Sequence, residues 1–529
     1  MKNIFFYFVI ALFIISCSSV QKYNQQISML HPVKGLLKDV DMAYAKLQNL
    51  HPKLYLYIAK EQLDYKFDSL KTTIKNPMSS QDFYKKLAPV IAEVRQGHVS
   101  VSPPMQRFTK KEIKGNKKKK FEFYELDFEI FRDSLWIVNT RGLDSTIIGS
   151  TVVKINDEPV SSLIANYKKL FTSDGYNTTF HNKIIGARFS GYYYKDKGFL
   201  DSLSMTIKNK DSLYTKIFRR IAKDSLSVTK KVDSLKITPK KLTKTQRKLA
   251  KAKRKQKKKD NIKYGYVKPR KRYTRNFDFI GKDSSIAYLK IRGFTKGKFK
   301  EFYKESFTKI DSAKSKNLII DLRDNTGGRL AEIDKLYSYL TDKDYQIINK
   351  SEVLTKQPML KYLMSENSSF LGKVLIVLVS PGIVFHSLLK TSKEDGKKYF
   401  KFKSAKLKKP NPLNFKGNIY VLINGGSYSA SSILSTNLQA TKRAIFVGEE
   451  TGGAYNGTVA GVFKFIELPT SKIKMRIGLA QIEALYKTEQ DGYGIKPDVK
   501  IIPTIKDRLQ NIDPELEWIL NDVETKKSN

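Results

Sequence analysis

The 529-residue chain has one cysteine, Cys17, two tryptophans and five histidines, and it is short of acid: 51 Asp and Glu stand against 98 Lys and Arg, a formal charge of +47. A single thiol excludes an intramolecular disulfide framework and a cysteine-rich metal centre. So few histidines leave only a handful of positions for an imidazole base. Apolar residues are not scarce. They make up 40% of the chain, with 29 Tyr and 30 Phe, enough to build real cores and to exclude a disordered protein. A chain of this length is expected to form two to four domains.

The first residues carry Lys2 and an apolar run from Ile4 to Ile15, too short to span a bilayer comfortably and of signal-peptide type. The run ends in Ile14-Ile15-Ser16-Cys17, which resembles the lipobox of bacterial lipoproteins. The resemblance implies a signal peptide over 1–17, a lipid on Cys17 and a short tether over 18–30. The protein is then expected in the cell envelope, anchored to a bacterial membrane: the outer membrane, facing the periplasm or the cell surface. With Cys17 lipidated, no thiol remains for a nucleophile.

Residues 31–105 have helical periodicity: Leu36, Val40, Ala43 and Leu47 share one face, and Phe83, Leu87, Val90, Ile91 and Val94 share another. After Gln96-Gly97 the alternating stretch from His98 to Ser102 predicts a strand, so His98 falls on a helix-to-strand turn, a rigid support for an imidazole. His51, His181 and His386 have no comparable setting. Residues 106–207 read as mainly β. Within them, Gly149-Ser150 before the apolar strand Thr151–Ile155 and the turn Asn156-Asp157 resembles the middle of a PDZ domain, without the glycine-rich loop that would bind a peptide carboxylate.

Residues 208–275 change character. Between Lys240 and Arg272 there are seventeen Lys or Arg and one acid, Asp260, with no apolar periodicity. A solvated, largely disordered insertion is predicted. It could touch anionic lipid or another polyanion; outside the cytoplasm these fit better than nucleic acid, and a bare exposed loop fits better than either. From 276 to 505, apolar strands running into glycine turns and then helices recur at Leu318, at Val374–Val379 and at Ile419. That alternation argues for an α/β core of parallel strands with functional groups at their carboxyl ends. Residues 506–529 read as a closing helix beginning at Asp513-Pro514.

The stretch Ile419–Gly457 is the richest in chemistry. A buried strand ends at Ile423, Asn424-Gly425-Gly426 turns, and a small-residue helix follows. Ser429 sits where turn meets helix, at the positive end of the helix dipole, where the Ala430 amide can face an oxyanion. A serine there can be a nucleophile. It can equally be an N-cap, as can Ser427.

Three motifs occur in order: Gln96-Gly97-His98-Val99, the run Leu318–Gly328 (LIIDLRDNTGG), and Ser427-Tyr428-Ser429-Ala430-Ser431-Ser432 with Val447–Gly453 (VGEETGG). Together they resemble the S41 serine peptidases, the family of C-terminal processing (tail-specific) proteases and the tricorn core. The resemblance runs from about His31 to Pro503, interrupted by the basic insertion. It implies an α/β catalytic core of the S41 type, with an N-terminal helical region and a PDZ-like β-rich middle region. It also implies Ser429 as nucleophile. One branch of the family takes its base from a lysine, but the matching position here is Ala454; the other, tricorn-like branch uses a histidine, which His98 matches. The acid that orients the imidazole aligns with Asp491, with Glu489 as the alternative. The amides of Ala430 and of Gly327 or Gly328 are candidate oxyanion donors. Asp321, Arg323 and Glu449 read as a buried polar network rather than reactants. The expected activity is acyl-enzyme hydrolysis of protein or peptide substrates without metal or cofactor. The alternatives are an inactive peptide-binding lipoprotein of the same fold and a polyanion-binding surface protein.

Overall fold

The computed structural model describes residues 20–223, 243–281, 285–295, 297–366 and 370–528. Cys17 and the apolar run before it lie outside the described residues.

Helix α1 spans Val20–Ser28 and is followed by α2 (Val33–Leu50), α3 (Lys60–Thr72) and α4 (Ser80–Ala92). Ser79 caps α4, accepting from the Asp82 amide. The apolar faces of α2, α3 and α4 are buried, but not only against one another. Leu36, Phe67, Leu87 and Ile91 share a core with Val462, Met475, Ile477 and Leu479 from a hairpin nearly 400 residues later. Strand β1 (Ser100–Ser102) completes this join by pairing with that hairpin, Ser100 opposite Arg476. The helical region is therefore built onto the C-terminal half of the chain, and His98 rides on the seam.

The middle of the chain is an antiparallel sheet with its own core of Phe123, Leu135, Ile155, Tyr167 and Phe189. The Asn156-Asp157 turn has positive φ at both residues, +45° and +68°, the hairpin geometry that short polar side chains tolerate. This sheet does not stop at 207. It takes in Ser202–Asn209, paired with Ser212–Arg219, and the rest of Ser212–Ala222, which pairs with Lys119–Phe121. The later strand carries no apolar alternation to mark it in the sequence: Phe218 is its one buried residue, and four of its eleven positions are Lys, Arg or Thr.

The basic tract also differs from expectation. Lys244–Lys263 form helix α5, opened by a capping box between Thr243 and Gln246. None of its residues is buried. Lack of apolar periodicity excluded packing, but not helicity: Lys, Arg, Gln and Ala are strong helix formers. Its far end is tied down by Arg275, whose guanidinium donates to the carbonyls of Ile262 and Lys263 and stacks 4.0 Å over Phe299.

The central sheet is β2 (Arg275–Ile280), antiparallel to β3 (Ile286–Ile291), followed by parallel β4 (Asn317–Asp321), β5 (Asn418–Ile423), β6 (Ile445–Gly448) and, after the hairpin β7 (Thr458–Glu467) and β8 (Lys474–Ile482), the edge strand β9 (Val499–Lys500). Helices α6 (Phe299–Ser312), α7 (Leu330–Tyr337) and α9 (Ala430–Ala440) bury Phe302, Leu336 and Leu434 against one face. Helix α10 (Pro514–Ser528) buries Ile519 and Val523 with Tyr420 and Val447 on the other. The run at Val374–Val379 is not a strand of this sheet. It lies inside α8, Phe370–Lys390. A short aliphatic run satisfies strand and helix alike, and only its length in the fold separates them.

Candidate active site

The turns after β4 and β5 are laced together. Asn424 Oδ1 accepts from the amides of Asp324 and Gly426, both at 2.9 Å, and its Nδ2 donates to Asp324 Oδ1 at 3.0 Å. Ser427 Oγ donates to the Leu322 carbonyl at 2.8 Å, so its hydroxyl is used inside the turn and does not cap α9. Ser429 holds the N-cap position but makes no capping bond. Its backbone is at φ +59°, ψ −116°, a conformation costly for any residue with a Cβ. Its Oγ lies 3.0 Å from Nε2 of His98, 331 positions away in sequence. Neither serine is therefore a cap.

Gly327 makes the close approach possible. At φ +90°, a Cβ on it would stand 2.8 Å from the Ser429 Cβ and from the Ala430 amide. Its own amide, however, donates to Asn325 Oδ1 at 3.0 Å, which removes it from the candidate oxyanion donors. Among the described residues no hydrogen bond engages the amides of Gly328 or Ala430, and these two are free to meet a developing negative charge.

His98 is held by its surroundings rather than by an acid. Its ring lies edge-on to Tyr428 and Phe463, centroids 5.0 and 5.5 Å away, and its carbonyl accepts from Arg476 Nε at 3.1 Å. Loss of solvent, with the Arg476 guanidinium adding to it, pushes the imidazole down to about 3, so it is neutral at physiological pH. No partner engages Nδ1 among the described residues.

Asp491 is not that partner. It accepts from Tyr57 Oη at 3.1 Å and from the Gly492 amide at 2.7 Å. Glu489, the alternative, is exposed and makes no contact with His98. The turn carrying both is pinned elsewhere: the Tyr176 amide donates to the Gly492 carbonyl, and a Cβ on Gly175 would come within 2.2 Å of Gly492 Cα.

The buried acid nearest the pair is one the sequence did not single out. Asp174 Oδ1 accepts from the Gly97 amide (2.7 Å), Tyr428 Oη (3.0 Å) and Thr458 Oγ1 (3.2 Å). Gly97 precedes His98 and Tyr428 precedes Ser429, so one carboxylate holds a neighbour of each, the Gly97 backbone and the Tyr428 side chain. Burial pushes it up to about 6 against the pull of these donors. Its only sequence signal is an Asp-Gly turn pair, Asp174-Gly175, common in loops. Asp174→Ala would strand buried donors and is expected to cost roughly 2–4 kcal/mol of stability and to slow hydrolysis. Asp174→Asn, which keeps the Oδ1 acceptor, should recover much of both; denaturant unfolding and kcat/KM measured together check this.

Asp321, Arg323 and Glu449 act as supports. Asp321 Oδ2 accepts from Tyr288 Oη and Lys290 Nζ, both 2.6 Å, and from Arg323 Nη2 at 2.8 Å; Arg323 also reaches Asp513 at 2.7 Å. Glu449 accepts from the Gly425 amide at 3.2 Å. Chemically, the site joins a hydroxyl, a neutral imidazole within reach of its proton, and two unengaged amides beside it.

The model of Peptidase family S41 matches residues 285–501. No curated protein matches the sequence. Among solved structures, mature CPAF is similar over 92% of this chain and 96% of its own, at 14% identity and a TM-score of 0.57. Mature CPAF complexed with lactacystin is similar over 93% and 97%, at 14% identity and a TM-score of 0.57. An alanine mutant of CPAF is similar over 90% and 94%, at 16% identity and a TM-score of 0.56. The chain has the S41 peptidase fold, with a helical N-terminal region and β-rich sheets.

Proposed function

We propose that this chain, with its S41 peptidase fold, is a serine-type endopeptidase that hydrolyses protein or peptide substrates by acyl-enzyme chemistry. Ser429 is the nucleophile, His98 the base that takes its proton, and the amides of Ala430 and Gly328 receive the oxyanion. The observation that carries this reading is the 3.0 Å approach of His98 Nε2 to Ser429 Oγ at a strained turn opening a helix. Lys2, the apolar run and Cys17 support action in the cell envelope from a lipid anchor. The exposed lysines and arginines of α5 between Lys244 and Lys259 support an accessory contact with anionic lipid or another polyanion.

One observation favours a second reading, a peptide-binding protein of the same fold with weak turnover. His98 has Arg476 beside it and no acid on Nδ1, so the imidazolium formed during catalysis lacks its usual stabiliser.

Labelling of the purified protein by a fluorophosphonate separates the two. Labelling confined to Ser429 is expected, abolished in Ser429→Ala. The sign of its pH dependence follows from the lowered pKa of His98: a free imidazole, near 6.5, would be about nine-tenths protonated at pH 5.5, whereas His98 stays neutral there and the labelling rate should hold. An unlabelled Ser429 at every pH would leave the binding protein as the better account.

A further inference from the structure

Helix α8 (Phe370–Lys390) is amphipathic the wrong way round. The positions turned toward the protein recur at helical spacing and include Gly372, Ile376, Ser380, Ile383 and Ser387, of which Ser387 is fully buried. The outward face is the apolar one: Leu375 is 63% exposed, Leu378 72%, Phe385 65% and Leu389 72%, with Val377 and Leu388 between them. Over Gly372–Lys390 the mean hydropathy is 1.8 and only 6% of the window is buried. A helix on a water-facing surface shows the opposite pattern.

We propose that α8 is a membrane-binding element that lies in the plane of a bilayer, with its outward face among the acyl chains and anionic headgroups beside it. It does not cross, because both ends are fastened to one body. Just before it, the Glu366 amide donates to the Phe465 carbonyl and the Glu366 carboxylate accepts from the Glu467 amide. Just after it, Thr391 pairs with Phe400 and its hydroxyl donates to the Lys356 carbonyl.

Two further observations favour lipid over a protein partner. Pro381 has no N–H, which would leave the Val377 carbonyl without its helical donor; Ser380 Oγ donates to that oxygen at 2.7 Å. Such internal repair is what a helix in hydrocarbon requires, since no water reaches the bare carbonyl. Lysines flank both ends, Lys361 and Lys373 at the start and Lys390, Lys393 and Lys397 at the finish, matching negative headgroups on either side of an apolar strip.

The test needs a probe local to the helix, because a lipid anchor alone would bind vesicles. In the full chain carrying Cys17→Ser, Leu378→Cys is labelled with the environment-sensitive fluorophore NBD; Tyr65→Cys, on an exposed face of α3, is the control. With phosphatidylcholine–phosphatidylglycerol vesicles, NBD at 378 should shift to the blue and be quenched by acyl-chain doxyl lipid, and NBD at 65 should do neither. A water-like spectrum at 378 on vesicle-bound protein overturns the proposal. So does concentration-dependent shielding of 378 without vesicles, which would mark a second copy of the chain as the occupant. The triple variant Leu375→Ser, Leu378→Ser, Leu389→Ser removes only exposed side chains. It should unfold at the same temperature and partition about tenfold less well or worse; unchanged partitioning also overturns the proposal.

Discussion

Hydrolysis of a peptide substrate should fall by roughly a thousandfold or more in Ser429→Ala, and by a similar factor in His98→Ala. The double mutant should be little worse than either, because a nucleophile without its base and a base without its nucleophile fail at the same step. The geometry makes the pair a unit: among the described residues His98 Nε2 is hydrogen-bonded to Ser429 Oγ alone, and Ser429 makes no capping bond to α9. Ala454→Lys, which restores the base position of the other S41 branch, should not rescue His98→Ala. Ala454 is buried. An ammonium there would be desolvated without a partner. Single-turnover and steady-state assays on the four variants, with circular dichroism to establish folding, decide the matter. Near-normal turnover in folded His98→Ala would move the base elsewhere.

Asp321→Ala should be among the most destabilising single changes, with a loss of about 3–5 kcal/mol. Asp321 is wholly buried at the end of β4, and Arg323 is 6% exposed. Truncating the acid leaves that guanidinium buried with only Asp513 and Glu515 beyond it, and takes the acceptor from Lys290 and Tyr288. Arg323 and Lys290 hold the carboxyl well below the ordinary carboxylate range despite its burial. The sign follows: its contribution is present above the unfolded carboxylate value and is lost only as pH falls through the lower folded one. A pH titration of wild-type stability should therefore show this group only in strong acid. Because Asp321 precedes the turn carrying Gly327 and Gly328, Asp321→Ala should also slow hydrolysis. Denaturant unfolding of the variant with a loss under about 1 kcal/mol would show the network to be dispensable.

Much of the site was legible because its signals are local. A strand running into Asn424-Gly425-Gly426, and Gln96-Gly97 before an alternating stretch, are decided by turn chemistry within a few residues. The two glycines at 327 and 328 marked a close approach, although which amide stays free depended on the carboxamide of Asn325. The acid was not legible. Asp491 and Glu489 lie near a family-like motif, but in the fold their turn is claimed by Tyr57 and Tyr176. Asp174 had no pattern around it to mark it.

The sequence by itself determined the elements whose cause is short-range: the amphipathic faces of α2 to α4, the parallel strands with their glycine turns, and the placing of Ser429 at a helix opening and His98 at a strand entry. Tertiary structure decided whatever depends on a partner distant in the chain. It brought His98 to Ser429 by packing the N-terminal helices onto β7 and β8, and gave Asp174 donors from three separate segments, at Gly97, Tyr428 and Thr458. It also made a helix of Phe370–Lys390, whose Val-Leu-Ile run fits a strand equally well until its ends are fixed, and so exposed an apolar face that no periodicity could assign to an inside or an outside. Hydrophobic spacing records which residues share a face; which medium that face meets is set by what the rest of the chain leaves uncovered.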